Sequence, residues 1–250
     1  MRTFRLALLL ALYCPGAVLA ADIRVLSAGV GELGLRQAIP AYEKGGGDHV
    51  TVEFAVPKLL KERVLAGEPA DVLIAPSAVI DAVLAGGKAL EPRLVVGQVG
   101  VGVVVRKGDA RPAIATPDEV KKAATGARSV IYNRASTGLY LDQLFERLGI
   151  APAIAGKVQR YADGDAVMQH IVDAPKGAVG FGAIAEIRLY IDKGADYVGP
   201  LPPQIQNYTR YEAVRLKPGG EGADAFLRFL GTPQVRGFFA QSGVEPVALP

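Results

Sequence analysis

The residues best suited to chemistry in this chain are Arg134, Ser136, Thr137 and Gly138. A β-prone run from Ser129 to Tyr132 enters a polar turn, and Ser136-Thr137-Gly138 then opens a segment with Leu139, Leu141, Leu144, Phe145 and Leu148 at helical spacing. The first amides of a helix have no internal acceptors and the helix dipole adds partial positive charge, so an anion resting on these three residues meets donors already aimed at it. Arg134 stands beside the turn with a planar fork of donors that matches a carboxylate. The same residues also read as an ordinary cap, with Ser136 at the N-cap and Arg134 a solvated charge. Lys58, directly after Pro57, sits at another helix start, where a cation is disfavoured unless an anion joins it. Asp163-Gly164-Asp165 opens a third helix. Tyr132, Tyr140, Asp163 and Asp165 are the candidates for acid or base work.

These turns need strands and helices to hold them. Ile23 to Ser27 reads as a buried strand, followed by the turn Ala28-Gly29-Val30-Gly31 and a helix over about Leu33 to Lys44. The turn lacks the G-x-G-x-x-G spacing of a dinucleotide site. His49 to Ala55 and Val72 to Ala75 are further strands, each followed by a helix, and this alternation implies a mostly parallel sheet covered on both faces. Leu94 to Arg106 is longer than an ordinary strand, as expected of a run that passes from one lobe into another. A second α/β block follows. It has a helix starting at Thr116-Pro117-Asp118-Glu119, strands at Val158 to Tyr161 and Gly177 to Phe181, and a helix over Gly182 to Ile191. The segment 198–203 is stiff and extended, Tyr211 to Leu216 is a second crossing strand, and two helices follow, about Gly222 to Leu230 and Thr232 to Ser242. The expected fold class is α/β with two lobes, residues 21–100 plus 211–250 and residues 101–210, each a mainly parallel sheet flanked by helices.

Residues 1–20 combine Arg2 and Arg5, an apolar run from Leu6 to Leu12, and small residues before Ala21, the pattern of a signal peptide cut after Ala20. Cys14, the one cysteine, leaves with it, so the mature chain needs no disulfide and has no thiol for catalysis or metal binding. Removing Arg2 and Arg5 leaves 26 basic against 25 acidic residues, which excludes a basic nucleic-acid-binding surface. His49 and His170 are too far apart, and too short of acidic neighbours at ligand spacing, to make a metal site. The expected product is a periplasmic monomer that uses no cofactor.

Several stretches carry a resemblance over nearly the whole mature chain: VLSAGVGEL, AGEPADVLIAPS, STGLYLDQLFERLGI, GAVGFGAIAEI, VGPLPPQIQNYT and FLRFLGTPQVRGFFAQSGVEP. In order and spacing they resemble the periplasmic molybdate-binding protein family, solute-binding proteins of the second structural type. The resemblance implies two lobes closing on a small anion, with an ABC transporter membrane component as partner. In that family a tetrahedral oxyanion is held by serine hydroxyls of the first two strand-helix loops, by backbone amides and by a tyrosine of the second lobe. Here Val30 falls near the first serine, Pro57 or Lys58 near the second, and Ala183 near the tyrosine. The VGPLP-x-x-IQ segment resembles a branch whose members act on organic acids, aconitate isomerase among them, and this implies an alternative as an enzyme that shifts a proton on a tricarboxylate without a cofactor. The ligand-binding residues expected on both grounds are Ala28, Gly29, Val30, Gly31, Pro57, Lys58, Arg134, Ser136, Thr137, Gly138, Asp163 and Asp165.

Overall fold

The computed structural model describes residues 22–247; the expected signal peptide, residues 1–20, lies outside them. In chain order the elements are β1 (Ile23–Ser27), α1 (Glu32–Lys44), β2 (Val50–Phe54), α2 (Pro57–Leu65), β3 (Val72–Pro76), α3 (Ser77–Ala85) and β4 (Ala89–Arg106). Then come α4 (Pro117–Gly126), β5 (Ser129–Asn133), α5 (Ser136–Arg147), α6 (Ala151–Ile154), β6 (Val158–Tyr161), α7 (Gly164–Asp173) and β7 (Ala178–Ala183). The last are α8 (Ile184–Arg188), β8 (Ala195–Pro200), β9 (Tyr208–Leu216), α9 (Glu221–Leu230) and α10 (Pro233–Gln241).

The sheet order is β2-β1-β3-β9-β4-β7-β5-β6, with β8 on β4. β1 pairs in parallel with β2 and β3, and β5 in parallel with β6 and β7, while β9 and β4 run antiparallel to their neighbours. β4 begins five residues before the expected start at Leu94. Its first part, Ala89 to Gly100, pairs with β9, and from Val101 onward it pairs with β7. Separate cores follow from this change of partner. One gathers Leu26, Ile74, Ile80 and Phe226, and another gathers Val103, Val130, Phe145 and Phe181. Tyr42 meets Phe226 edge-on at 5.1 Å between ring centres, and Phe145 meets Phe181 the same way at 5.5 Å, the geometry aromatic quadrupoles favour.

Local chemistry explains where helices begin. Thr116 and Glu119 form a reciprocal capping box on α4, and Pro57 occupies the first position of α2, where no amide is needed. Two expected boundaries move. β7 continues to Ala183, which shortens the following helix to Ile184–Arg188, and the segment read as merely extended at 198–203 is in part a strand, β8, paired with β4. Among the described residues no helix is long and apolar enough to cross a membrane.

At the point where β4 changes partners, the side chain of Gln206 takes the place of a strand. The Val101 amide donates to Gln206 Oε1 at 2.8 Å and Gln206 Nε2 donates to the Val101 carbonyl at 3.0 Å. Gln206→Ala leaves the buried Val101 amide without its acceptor, while the Val101 carbonyl keeps the Leu201 amide at 3.0 Å. Urea unfolding is expected to show a loss of about 1–3 kcal/mol, and a midpoint equal to the parent's would remove Gln206 from this role.

Candidate functional site

A cleft of about 260 Å³ lies where the two halves face each other. Its walls are the turn after β1 (Ala28, Gly29, Val30), Glu32 of α1, Phe54 to Pro57 at the start of α2, and Tyr211 of β9; from the other half come Asn133 to Thr137, Asp163 to Asp165, Ala183, Glu186, Leu189 and Tyr190. These are loops at the carboxyl ends of parallel strands, where open α/β sheets bind ligands.

Eight of the expected residues are brought together here: Ala28, Gly29, Val30, Pro57, Ser136, Thr137, Asp163 and Asp165. Gly31, Lys58, Arg134 and Gly138 are not on its walls. Gly31 supports the turn from behind: its amide donates to the Ala28 carbonyl, and a side chain there would strike Ser27 Oγ. Lys58 projects into solvent, with its side chain 83 % exposed and 3.8 Å from Glu62. Arg134 is exposed and off the cleft walls, while its amide donates to the Tyr161 carbonyl. Gly138 is buried, and its amide is taken by Asn133 Oδ1 at 2.9 Å. The same oxygen accepts from Ala135 at 3.1 Å, so Asn133 does the capping expected of Ser136, whose side chain makes no cap bond. Gly138 has to be glycine, because a Cβ would sit 1.8 Å from the Asn133 carbonyl oxygen.

The donors left facing the cleft are backbone amides. Ser136 and Thr137 are the first two residues of α5, and Gly164 and Asp165 the first two of α7. Their N–H groups have no acceptor among the described residues, as expected of a helix start. Three full helices, α2, α5 and α7, thus direct the positive ends of their dipoles at one volume.

Among the described residues no lysine, arginine or histidine lines the cleft, yet four carboxyl groups do. Three already have partners. Glu32 pairs with Arg36, Asp163 accepts from the Ala166 amide at 2.8 Å, and Asp165 accepts from the Tyr190 hydroxyl. Glu186 differs: its Oε2 is buried with no hydrogen-bond partner, packed against the backbone of Gly164, where a Cβ would come within 2.0 Å of it. Burial, reinforced by the charges of Asp163 and Asp165, pushes the Glu186 carboxyl up to about 7, with the Ala183 amide acting in the opposite sense. The Tyr211 and Tyr190 hydroxyls are raised as well, Tyr211 by burial and then Glu186, Tyr190 by burial and then Asp165.

Tyr132 and Tyr140, nominated for acid or base work, stay off the cleft walls; Tyr132 donates to Asp142 at 2.9 Å and Tyr140 to the Ile205 carbonyl at 2.6 Å. His170 bonds Tyr161 at 2.6 Å, and the described residues contain no group of metal-ligand side chains. Sequence reasoning missed Glu186, Tyr190, Tyr211 and Asn133. The signal for Glu186 was a lone acid in the apolar stretch AIAEI.

The native Glu186 carboxyl keeps its proton to about 7, whereas an unfolded one loses it near 4.3. Its contribution to stability is therefore complete below the unfolded value and is lost as pH rises through 7. Glu186→Gln is expected to match the parent near pH 4 and to exceed it by about 1–2 kcal/mol at pH 8, allowing for solvent in the cleft. Thermal unfolding across this range checks it, and a gap independent of pH would contradict it.

Residues 23–245 match the family described as bacterial extracellular solute-binding protein. The chain is 30 % identical over 235 residues to an aconitate isomerase from a Pseudomonas species, covering 90 % of this chain and 88 % of that one. Among solved structures it is similar to the periplasmic molybdate-binding protein of Azotobacter vinelandii, with a TM-score of 0.72 and 18 % identity over 91 % of this chain and 99 % of the other. The sulfate-binding protein of Mycobacterium tuberculosis gives a TM-score of 0.73 and 20 % identity over 90 % and 87 %. With two α/β halves, a crossing strand and a cleft between them, the chain belongs to the bacterial extracellular solute-binding protein family and has the type II periplasmic binding-protein fold of the molybdate-binding proteins.

Proposed function

We propose that this chain is an exported binding protein that captures a small organic polycarboxylate between lobes 21–100 plus 211–250 and 101–210, and presents it to an ABC transporter in the membrane. The observation that carries the reading is the set of unpartnered amides at the starts of α5 and α7, facing one cleft together with the start of α2. Such donors suit an anion without fixing which anion. Two features favour carboxylates on a carbon skeleton over a bare metal oxyanion. Val30, Pro57 or Lys58, and Ala183 are the residues that the resemblance sets near the family's hydroxyl donors; of these Val30, Pro57 and Ala183 line the cleft with no hydroxyl, and an oxyanion would lose about 1–3 kcal/mol for each donor it misses. Val30, Phe54, Val56, Pro57 and Leu189 instead give the cleft apolar surface for carbon. A volume of about 260 Å³ lies below the range of drug-sized sites, about 300–1,000 Å³, and fits a small acid. Closure of the lobes would exclude water and strengthen each amide contact.

A second reading, a cofactor-free isomerase of the aconitate isomerase kind, is favoured by one observation. Glu186 is a cleft carboxyl whose Oε2 has no hydrogen-bond partner and whose pKa is raised to about 7, as suits a group that gives and takes a proton there. Incubation of trans-aconitate in deuterated buffer separates the two readings, since turnover scrambles the label and capture alone does not.

Thermal unfolding with citrate, trans-aconitate, molybdate, tungstate and sulfate added separately is expected to show stabilisation by the tricarboxylates, about 2.7 kcal/mol at 100 times the dissociation constant. A shift with molybdate or tungstate alone would overturn the carboxylate reading. Ser136→Pro tests the amides directly. Proline is tolerated at the first helical position and Ala135 before it is already extended, so the fold should persist while one donor is lost. Affinity is expected to fall about tenfold, equivalent to about 1.4 kcal/mol. An unchanged affinity in a folded variant would remove the α5 start from the site.

A further inference from the structure

The cleft has a problem that its amides alone do not solve: among the described residues it is lined by four carboxyl groups and no cationic side chain, in a fold whose solved examples include a molybdate-binding and a sulfate-binding protein. Glu32, Asp163 and Asp165 each have a hydrogen-bonding partner in Arg36, the Ala166 amide and the Tyr190 hydroxyl. Glu186 Oε2 has none, and it lies against the start of α7, beside the amides of Gly164 and Asp165 that face the cleft. We infer that Glu186 must carry a proton for an anion to occupy the cleft, so that anion capture takes up a proton on this one side chain. The inference rests on the anion-capture reading and adds to it the group that couples binding to pH.

The reasoning is electrostatic. A carboxylate at this position would repel any anion docked on the neighbouring amides, whereas the carboxylic acid is uncharged and offers an O–H to a ligand oxygen. The surroundings do not supply an alternative neutralising charge. α7 presents Asp163 and Asp165 to Glu186, and β9 presents Tyr211. On its own helix Arg188 is turned away, donating to the Gln241 carbonyl at 2.6 Å. Of the strands α8 packs against, β7 carries no titratable side chain, Arg106 of β4 pairs with Asp109 at 3.2 Å, and Asp196 of β8 faces Arg111 at 3.8 Å, while Tyr197 lies near Arg188. The Glu186 carboxyl is already pushed up to about 7, so the gain of one negative ligand is enough to hold its proton through the neutral range.

Calorimetric titration of the mature chain tests this, with trans-aconitate as one probe because its carboxyls all ionise well below neutrality, and sulfate as a second. The observed heat is measured at each pH in buffers of different ionisation enthalpy, and the slope gives protons taken up per ligand. The expected slope is about one half at pH 7, near one at pH 8 and near zero at pH 5.5, with affinity falling about tenfold per pH unit above 7. Glu186→Gln, which keeps the shape and a donor but cannot titrate, is expected to bind with zero slope and an affinity independent of pH. Saturable binding without buffer dependence in the parent would overturn the inference and leave anion capture standing. A slope that survives in Glu186→Gln would assign the proton elsewhere and overturn it too. Absence of saturable heat with both probes would overturn the capture reading itself, and the inference with it.

Discussion

A strand that changes neighbours partway along its length must find partners for its backbone at the switch, and that constraint shapes this protein. β4 leaves β9 after Gly100 and joins β7 at Val101, and the amide side chain of Gln206 completes the hydrogen bonds there in both directions. An unmatched buried N–H or C=O costs about as much as a lost hydrogen bond, so the switch is stable only with such a substitute. Gln206 also fixes where the chain returns, because Asn207 donates to the same Oε1 at 2.9 Å and β9 begins one residue later. Together with the Leu201 amide, which also reaches the Val101 carbonyl at 3.0 Å, this glutamine closes the backbone bonding at the point where β4 passes from one half to the other.

The cleft follows from a second economy of hydrogen bonding. Helices that start at the ends of parallel strands leave amides unsatisfied, and here Asn133 takes the Ala135 and Gly138 amides while leaving those of Ser136 and Thr137 for a ligand. α7 works likewise, with Asp163 taking Ala166 and leaving Gly164 and Asp165. The cap thus decides which donors are structural and which are available. The acids Asp163, Asp165 and Glu186 stand beside these donors.

The fold was readable because its signals are local. The β-α alternation, the proline of α2 and the capping box of α4 are written in adjacent residues, and the order of quoted stretches pointed to the right family. Part of the site was readable for the same reason, since the turns after β1, β5 and β6 face the cleft. What failed was the choice of side chains within a turn. Charge marks Arg134 and Lys58 as anion ligands, but the direction of a side chain depends on backbone torsion: both cations are exposed and off the cleft walls, which are lined instead by the residues after Arg134 and those before Lys58. Glu186 was passed over because a five-residue helix is too short for periodicity to separate an inward from an outward position. β8 was hidden by Pro200, Pro202 and Pro203, which suggest a loop, although an edge strand tolerates a proline at its end.

The place of β9 between β3 and β4 bears on how the chain acquires its structure. β3 and β4 follow one another in sequence with only α3 between them, yet the strand that separates them in the sheet is Tyr208–Leu216. The first half therefore cannot close its sheet until residues far downstream have arrived, and contacts of such sequence separation form slowly. The early strands are made with a gap in their sheet that only the late strand can fill, so compaction of the first half waits on the arrival of residues 208–216.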